Sequence, residues 1–173
     1  MNESIIRNHN MRITNEDTFI HNGDFCFKSG ANCAKAEDWL SRLNGQKIMI
    51  RGNHDNNNSL KTIIDDITVT FANYRIKIVH KPEHANPNLP INIVGHVHNK
   101  WHIKTFAQHY KDIMNAMEVV ASDRQDWARF LEVNAQYSNS QSILFNCGVD
   151  VNDYMPISLD EVLGKIQKWK NTK

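Results

Sequence analysis

Apolar positions fall in short blocks along this chain, and several blocks end in a polar turn that contains glycine. Ile5, Ile6, Met11 and Ile13 recur at roughly helical spacing and predict an N-terminal helix with one packed face. Thr18 to His21 predicts a strand that runs into Asn22-Gly23-Asp24. Lys35 to Leu43 predicts a helix with Trp39, Leu40 and Leu43 on one face and Gly45 as its stop. Lys47 to Ile50 predicts a buried strand leading into Arg51-Gly52-Asn53-His54-Asp55.

A short helix near Leu60 to Ile64 is expected next, then strands near Ile67 to Phe71, Arg75 to Val79 and Ile91 to Val94. His80 and Gly95-His96-Val97-His98 again stand where strands end. From Phe106 to about Val133 the period becomes helical. Ile113, Met114, Met117 and Val120 form a stripe there, read as core or lid packing, and Ser122-Asp123-Arg124-Gln125 has the form of a capping box. Ser142 to Phe145 predicts a strand, and Ser158-Leu159-Asp160-Glu161 caps a last helix carrying Val162, Leu163, Ile166 and Trp169. Alternating helix and strand over one chain length predicts an α/β class in a single domain.

Composition narrows the chemistry. The 173 residues suit one hydrophobic core, and 20 Lys+Arg against 19 Asp+Glu leave no broad basic field for a nucleic-acid backbone. Cys26, Cys33 and Cys147 are odd in number and lack paired spacing, which argues against a disulfide framework or a zinc ribbon. They are expected to be reduced thiols in a cytoplasmic protein. No stretch approaches the roughly 18 apolar residues of a membrane span.

What remains is a scattered set of metal-ligand residue types: Asp24, Asn53, His54, Asp55, His80, His96 and His98. Two divalent ions close together need a bridging carboxylate to offset their repulsion, and Asp24 is the obvious bridge, with neutral imidazole and amide oxygen filling other positions. His96 and His98 share one face of an extended segment, as ligands to adjacent ions would. The glycines at 23, 52 and 95 let the backbone turn near such ions without an intruding Cβ. Arg51 either attracts phosphate or lies on the surface. His9 and His21 are minor candidates for further ligands.

The pieces Gly23-Asp24, Gly52-Asn53-His54-Asp55, His80 and Gly95-His96-Val97-His98, in this order, resemble the calcineurin-like metallophosphoesterase superfamily. The tail Asn146-Cys147-Gly148-Val149-Asp150-Val151 with Pro156-Ile157-Ser158-Leu159-Asp160-Glu161 is similar to its small bacterial and phage-type members. The resemblance implies an α/β fold with a layered β-sandwich flanked by helices, with residues near 105–135 as a helical insertion. It implies that Asp24 bridges two metals, that Asn53, His80 and His96 complete one site, and that His98 serves the other. It implies that His54 faces the scissile phosphate and that Asp55 orients it.

The reaction implied is hydrolysis of a phosphomonoester or phosphodiester, by attack of a metal-bound hydroxide. The substrate would be a phosphorylated small molecule or nucleotide, and the metal Mn²⁺, with Fe²⁺, Ni²⁺ and Zn²⁺ also compatible. The family's first motif, an Asp-x-His on its first strand, has no counterpart here, so the second ion is expected to be weak or missing. An upstream start, a segment that fills the gap, and a non-catalytic metal- or phosphate-binding relative stand as equal explanations.

Overall fold

The computed structural model describes residues 2–26, 35–55, 60, 62–119 and 138–173. Two sheets organise the described residues. In the smaller, β1 (Thr18–Asn22) lies parallel to β2 (Gln46–Ile50). The larger has five strands: β3 (Asp66–Phe71), β4 (Tyr74–Val79), β5 (Ile91–Val94), β6 (Ile103–Thr105) and β7 (Ile143–Asn146), in the order β3-β4-β5-β7-β6. Strands β4, β5 and β7 are mutually parallel, whereas β3 and β6 run antiparallel at the two edges. Ala72 and Asn73, both with positive φ, close the β3–β4 hairpin in the way a two-residue turn requires.

Strand register explains where the core lies. Across the large sheet Val69 pairs with Ile76, Ile76 with Ile91 and Ile91 with Ile143, and the next row runs Ile67, Ile78, Ile93 and Phe145. These residues share one face, and with Ile20 of β1 and Ile50 of β2 they form a single apolar cluster. The two sheets therefore rest on a common core. Helix α4 (Leu159–Asn171) adds Val162 and Ile166 to it, and its N-terminus carries the expected capping box of Ser158 and Glu161. On the opposite face Val79, Val94 and Leu144 pack with Phe106 at the start of α3 (Phe106–Val119).

Strands β5 and β7 are buried along their whole length, as parallel strands covered on both faces are. Each carries one asparagine inside, and both are satisfied. Asn92 Nδ2 donates to the Asn86 carbonyl and the Ser142 hydroxyl, and its Oδ1 accepts from the Asn86 amide.

Several expectations are corrected. Helix α1 (Asn2–Arg12) buries His9 rather than an apolar stripe, and Met11 is 74% exposed. Polar ties hold this helix instead: His9 Nε2 to the Asn44 carbonyl at 3.0 Å, Asn10 Nδ2 to the Arg42 carbonyl at 2.8 Å, and the Glu3–Arg42 pair. Helix α2 is only Ala36–Leu40, because the bonds of Arg42 and Leu43 reach back three residues and tighten the last turn.

Strand β2 is half-exposed, with Ile50 its one buried residue. In place of a helix near Leu60 to Ile64, Ile64 forms a parallel bridge to Ile50, and the Arg51 amide donates to the Ile64 carbonyl at 2.8 Å. The edge of β2 needs backbone partners, and that tertiary demand overrides a local helical pattern. Beyond Val119 the expected helix to Val133, including Val120 and the Ser122–Gln125 box, lies outside the described residues, as do the side chain of Met117 and all of Cys33. Strand β6 was not anticipated, since three residues are too few for a period to register.

Phe145 is fully buried in the shared cluster, so Phe145→Ala should lower unfolding free energy by about 3–5 kcal/mol. Urea denaturation measures this, and a loss below about 1 kcal/mol would contradict the packing described.

Candidate metal centre

Asn22 and Ile50 end the parallel pair β1 and β2, Val79, Val94 and Asn146 end the parallel strands β4, β5 and β7, and the polar pieces picked out in the sequence follow the first four of these residues directly. Parallel strands thus deliver their loops to one end, where ligand sites of open α/β sheets lie. Asp24, His80 and His96 converge there, with ligand atoms all within 4.8 Å of one another.

His80 is the best-determined member. It is buried, and its Nδ1 lies 2.7 Å from the Asn22 carbonyl, which can only accept, so the ring proton is assigned to Nδ1. Nε2 then carries the lone pair. It faces Asn53 Oδ1 at 3.1 Å and Asp24 Oδ2 at 3.2 Å. Lone pairs of imidazole, amide oxygen and carboxylate, aimed at one another, are a donor set that a cation reconciles. A backbone carbonyl behind a ligating imidazole is also the usual orienting partner in metal sites. Burial, and then the neighbouring His80, lower the His96 pKa below its ordinary value and favour the neutral ring that ligation needs. These residues fit a divalent cation.

The loops are built tightly. Gly23 has φ +86°, and a Cβ there would stand 2.5 Å from His80 Nδ1 and 2.7 Å from Gly52. At Gly52 a Cβ would overlap the carboxylate and amide nitrogen of Asp24. Asp24, His96 and His98 themselves hold left-handed backbones, with φ of 56°, 67° and 48°. Such conformations in residues with side chains mark sites held by their surroundings.

The calcineurin-like phosphoesterase family profile matches residues 3–170. The chain belongs to that family. An uncharacterized protein of Methanocaldococcus jannaschii is 24% identical over 170 residues, spanning 98% of this chain and 77% of its own. A crystal structure of a protein of unknown function from Aquifex aeolicus superposes with a TM-score of 0.56 at 21% identity, covering 93% of this chain and 82% of that one. The second likeness concerns the fold. Membership in the calcineurin-like phosphoesterases implies divalent metal ions, and the Asp24–His80–His96 group is where this chain offers to hold one.

The other sequence candidates are spread around that group. Asn53 stands beside His80, and the exposed His54 donates its backbone N–H to Asp24 Oδ1 at 2.9 Å. Asp55 is buried, and its carboxylate accepts from the amides of Gly52 at 2.7 Å, Asp24 at 2.9 Å and Phe25 at 3.0 Å. One side chain therefore ties the loop after β1 to the loop after β2. His98 is not part of the cluster; its ring is 80% exposed and pairs through Nδ1 with Asp150 Oδ2 at 3.2 Å. Arg51 pairs with Asp65, which favours the surface reading. His9 lies against Phe19 with its Nε2 on the Asn44 carbonyl and is not part of the cluster.

Sequence reasoning missed the residues that hold these ligands. Asn22 supplies the carbonyl that sets the His80 tautomer, and its amide donates to the Val79 carbonyl at 3.1 Å. Asn146, fully buried at the end of β7, donates to the carbonyls of His98 at 2.6 Å and Trp101 at 2.7 Å while accepting from the Gly148 amide at 2.9 Å. Both are asparagines that end a strand, Asn146 after three apolar residues, and that is the signal that could have found them.

His21 is buried at its ring Nδ1, which has no hydrogen-bond partner among the described residues, and burial lowers its pKa to about 4. Below pH ~6.5 the unfolded chain takes up a proton that the native state refuses, so stability falls as pH drops from ~6.5 to ~4, by up to about 3 kcal/mol. Urea denaturation of the metal-free protein across that range should show the slope, and His21→Gln should make it shallower, the lowered pKa values of His96, His102 and His109 accounting for what remains. Parallel pH profiles for the two proteins would contradict the assignment. Asp55→Ala leaves amides of two loops without their acceptor and should cost about 3 kcal/mol or more in the same assay, a loss under about 0.5 kcal/mol being inconsistent with the tie.

Proposed function

We propose that this chain hydrolyses a phosphomonoester or phosphodiester of a small molecule or nucleotide, using a divalent ion, Mn²⁺ first among candidates, held by Asp24, Asn53, His80 and His96. The observation that carries the reading is the convergence of Asp24, His80 and His96 at the strand ends. A bound divalent ion offers Lewis acidity toward phosphoryl oxygens and lowers the pKa of its water. Asp24 supplies negative charge, with Oδ1 fixed by the His54 amide and Oδ2 turned toward His80.

His54 is exposed at the mouth of the site on a backbone anchored to Asp24, where its imidazole suits proton donation to a leaving oxygen. Asp55 keeps that loop in place. His98 is the residue left to serve a second ion. The whole chain is read as one domain. Among the described residues no helix is long and apolar enough to cross a membrane.

A second reading, a protein that binds one metal without turnover, draws on the position of His98 outside the three-residue cluster. Aryl phosphate and diester hydrolysis with added Mn²⁺, measured beside the metal content per chain, separates the two. Turnover is expected, and His54→Ala should lower kcat by about 10²-fold or more while leaving metal content unchanged. Metal bound with no hydrolysis of either substrate class would favour the second reading, and loss of metal in His54→Ala would remove His54 from its role.

A further inference from the structure

The His98–Asp150 pair joins two segments that the main ligand set does not use. His98 closes the loop after β5, and Asp150 lies in the 3₁₀ turn Val149–Val151 that follows β7. Both segments are held by buried asparagines. Asn146 Nδ2 binds the His98 carbonyl at 2.6 Å, and its Oδ1 takes the Gly148 amide at the entry to the turn, at 2.9 Å. From the other side Asn152 Nδ2 donates to the Gly148 carbonyl at 2.9 Å. A Cβ at Gly148 would stand 3.0 Å from Asn146 Oδ1, so this corner has little room to shift. The left-handed backbone of His98, φ 48°, is thus maintained from below, and Asp150 is set opposite its ring.

An exposed imidazole in water favours the proton on Nε2 by a small margin, and a carboxylate beside Nδ1 reverses that choice by accepting its hydrogen. We propose that Asp150 is a positioning residue that holds His98 in the Nδ1–H tautomer, so that Nε2 is the lone-pair atom presented to a divalent cation. This rests on the reading of His98 as a ligand for a second ion. The arrangement repeats, with a carboxylate, what the Asn22 carbonyl does for His80: each imidazole has Nδ1 occupied by an oxygen acceptor, which makes Nε2 the lone-pair nitrogen. A carboxylate adds negative charge behind the ring and makes Nε2 a stronger donor, which matters most at a site with few ligands.

The test begins on the metal-free protein, where ¹⁵N chemical shifts of the His98 ring report its tautomer above the pH at which it protonates. Wild type should show Nδ1–H. Asp150→Ala should move the ring to Nε2–H, while Asp150→Asn, whose Oδ1 still accepts, should keep it largely unchanged. An Nε2–H ring in wild type, or no change in Asp150→Ala, overturns the proposal.

Asp150 is solvent-accessible at its carboxylate, so these variants should fold, which an unchanged thermal midpoint verifies. Calorimetric titration with Mn²⁺ gives a second measurement: Asp150→Ala should weaken the second binding step about 10-fold and leave the tighter step alone. An equal loss in both steps would assign Asp150 to the scaffold and overturn its role at His98. Absence of phosphoester hydrolysis in wild type would strike the functional reading, whereas the tautomer exchange answers for Asp150 independently.

Discussion

The candidate metal centre depends on two loop backbones being held in contact, and the buried carboxylate of Asp55 holds them. Its oxygens take amide hydrogens from Gly52 in its own loop and from Asp24 and Phe25 in the neighbouring one. Without that acceptor the two loops would carry backbone donors facing away from water, an arrangement that folded proteins avoid. With it, Gly23 and Gly52 approach until no side chain fits between them, and Asp24 is delivered to His80. The sheets set direction and the carboxylate sets spacing.

The larger sheet contributes in a different way. Because β4, β5 and β7 are parallel, their C-terminal ends deliver His80, Gly95-His96 and the turn bearing Asp150 to one edge of the core. The Ile-rich face below, closed by β1, β2 and α4, gives these ends a rigid base. A set of ligands drawn from four separate loops needs such a base, since displacement of any one strand would open the donor set.

Much of this was legible in the sequence, for identifiable reasons. β5 and β7 were visible because a strand buried on both faces is nearly all apolar, β4 because Ile76 and Ile78 alternate with polar residues, and Ser158 with Glu161 announced a helix start through a local bond that needs no tertiary partner. Asp24, His80 and His96 stood out because few other pressures place such residues directly after strands. What escaped is what depends on the third dimension. Ile64 pairs with Ile50 only because β2 offers an edge, and α1 packs through His9 because Asn44 presents a carbonyl to it. Asp55 stands beside His54 in the sequence, yet its oxygens lie against amides some thirty residues away in the chain. Adjacency suggests orientation of a neighbour; folding adds a clamp between loops.

The left-handed backbones at Asp24, His96 and His98 carry a consequence for how this protein can change. Each such residue stores on the order of 1 kcal/mol or more of local strain. A glycine in any of the three places would relieve that strain, so the substitutions that most ease the fold are among those that remove its candidate metal-ligand side chains. Selection for thermal robustness alone would therefore erode the site, and a more stable variant of this chain has to be sought in its core and its helix surfaces rather than in these loops.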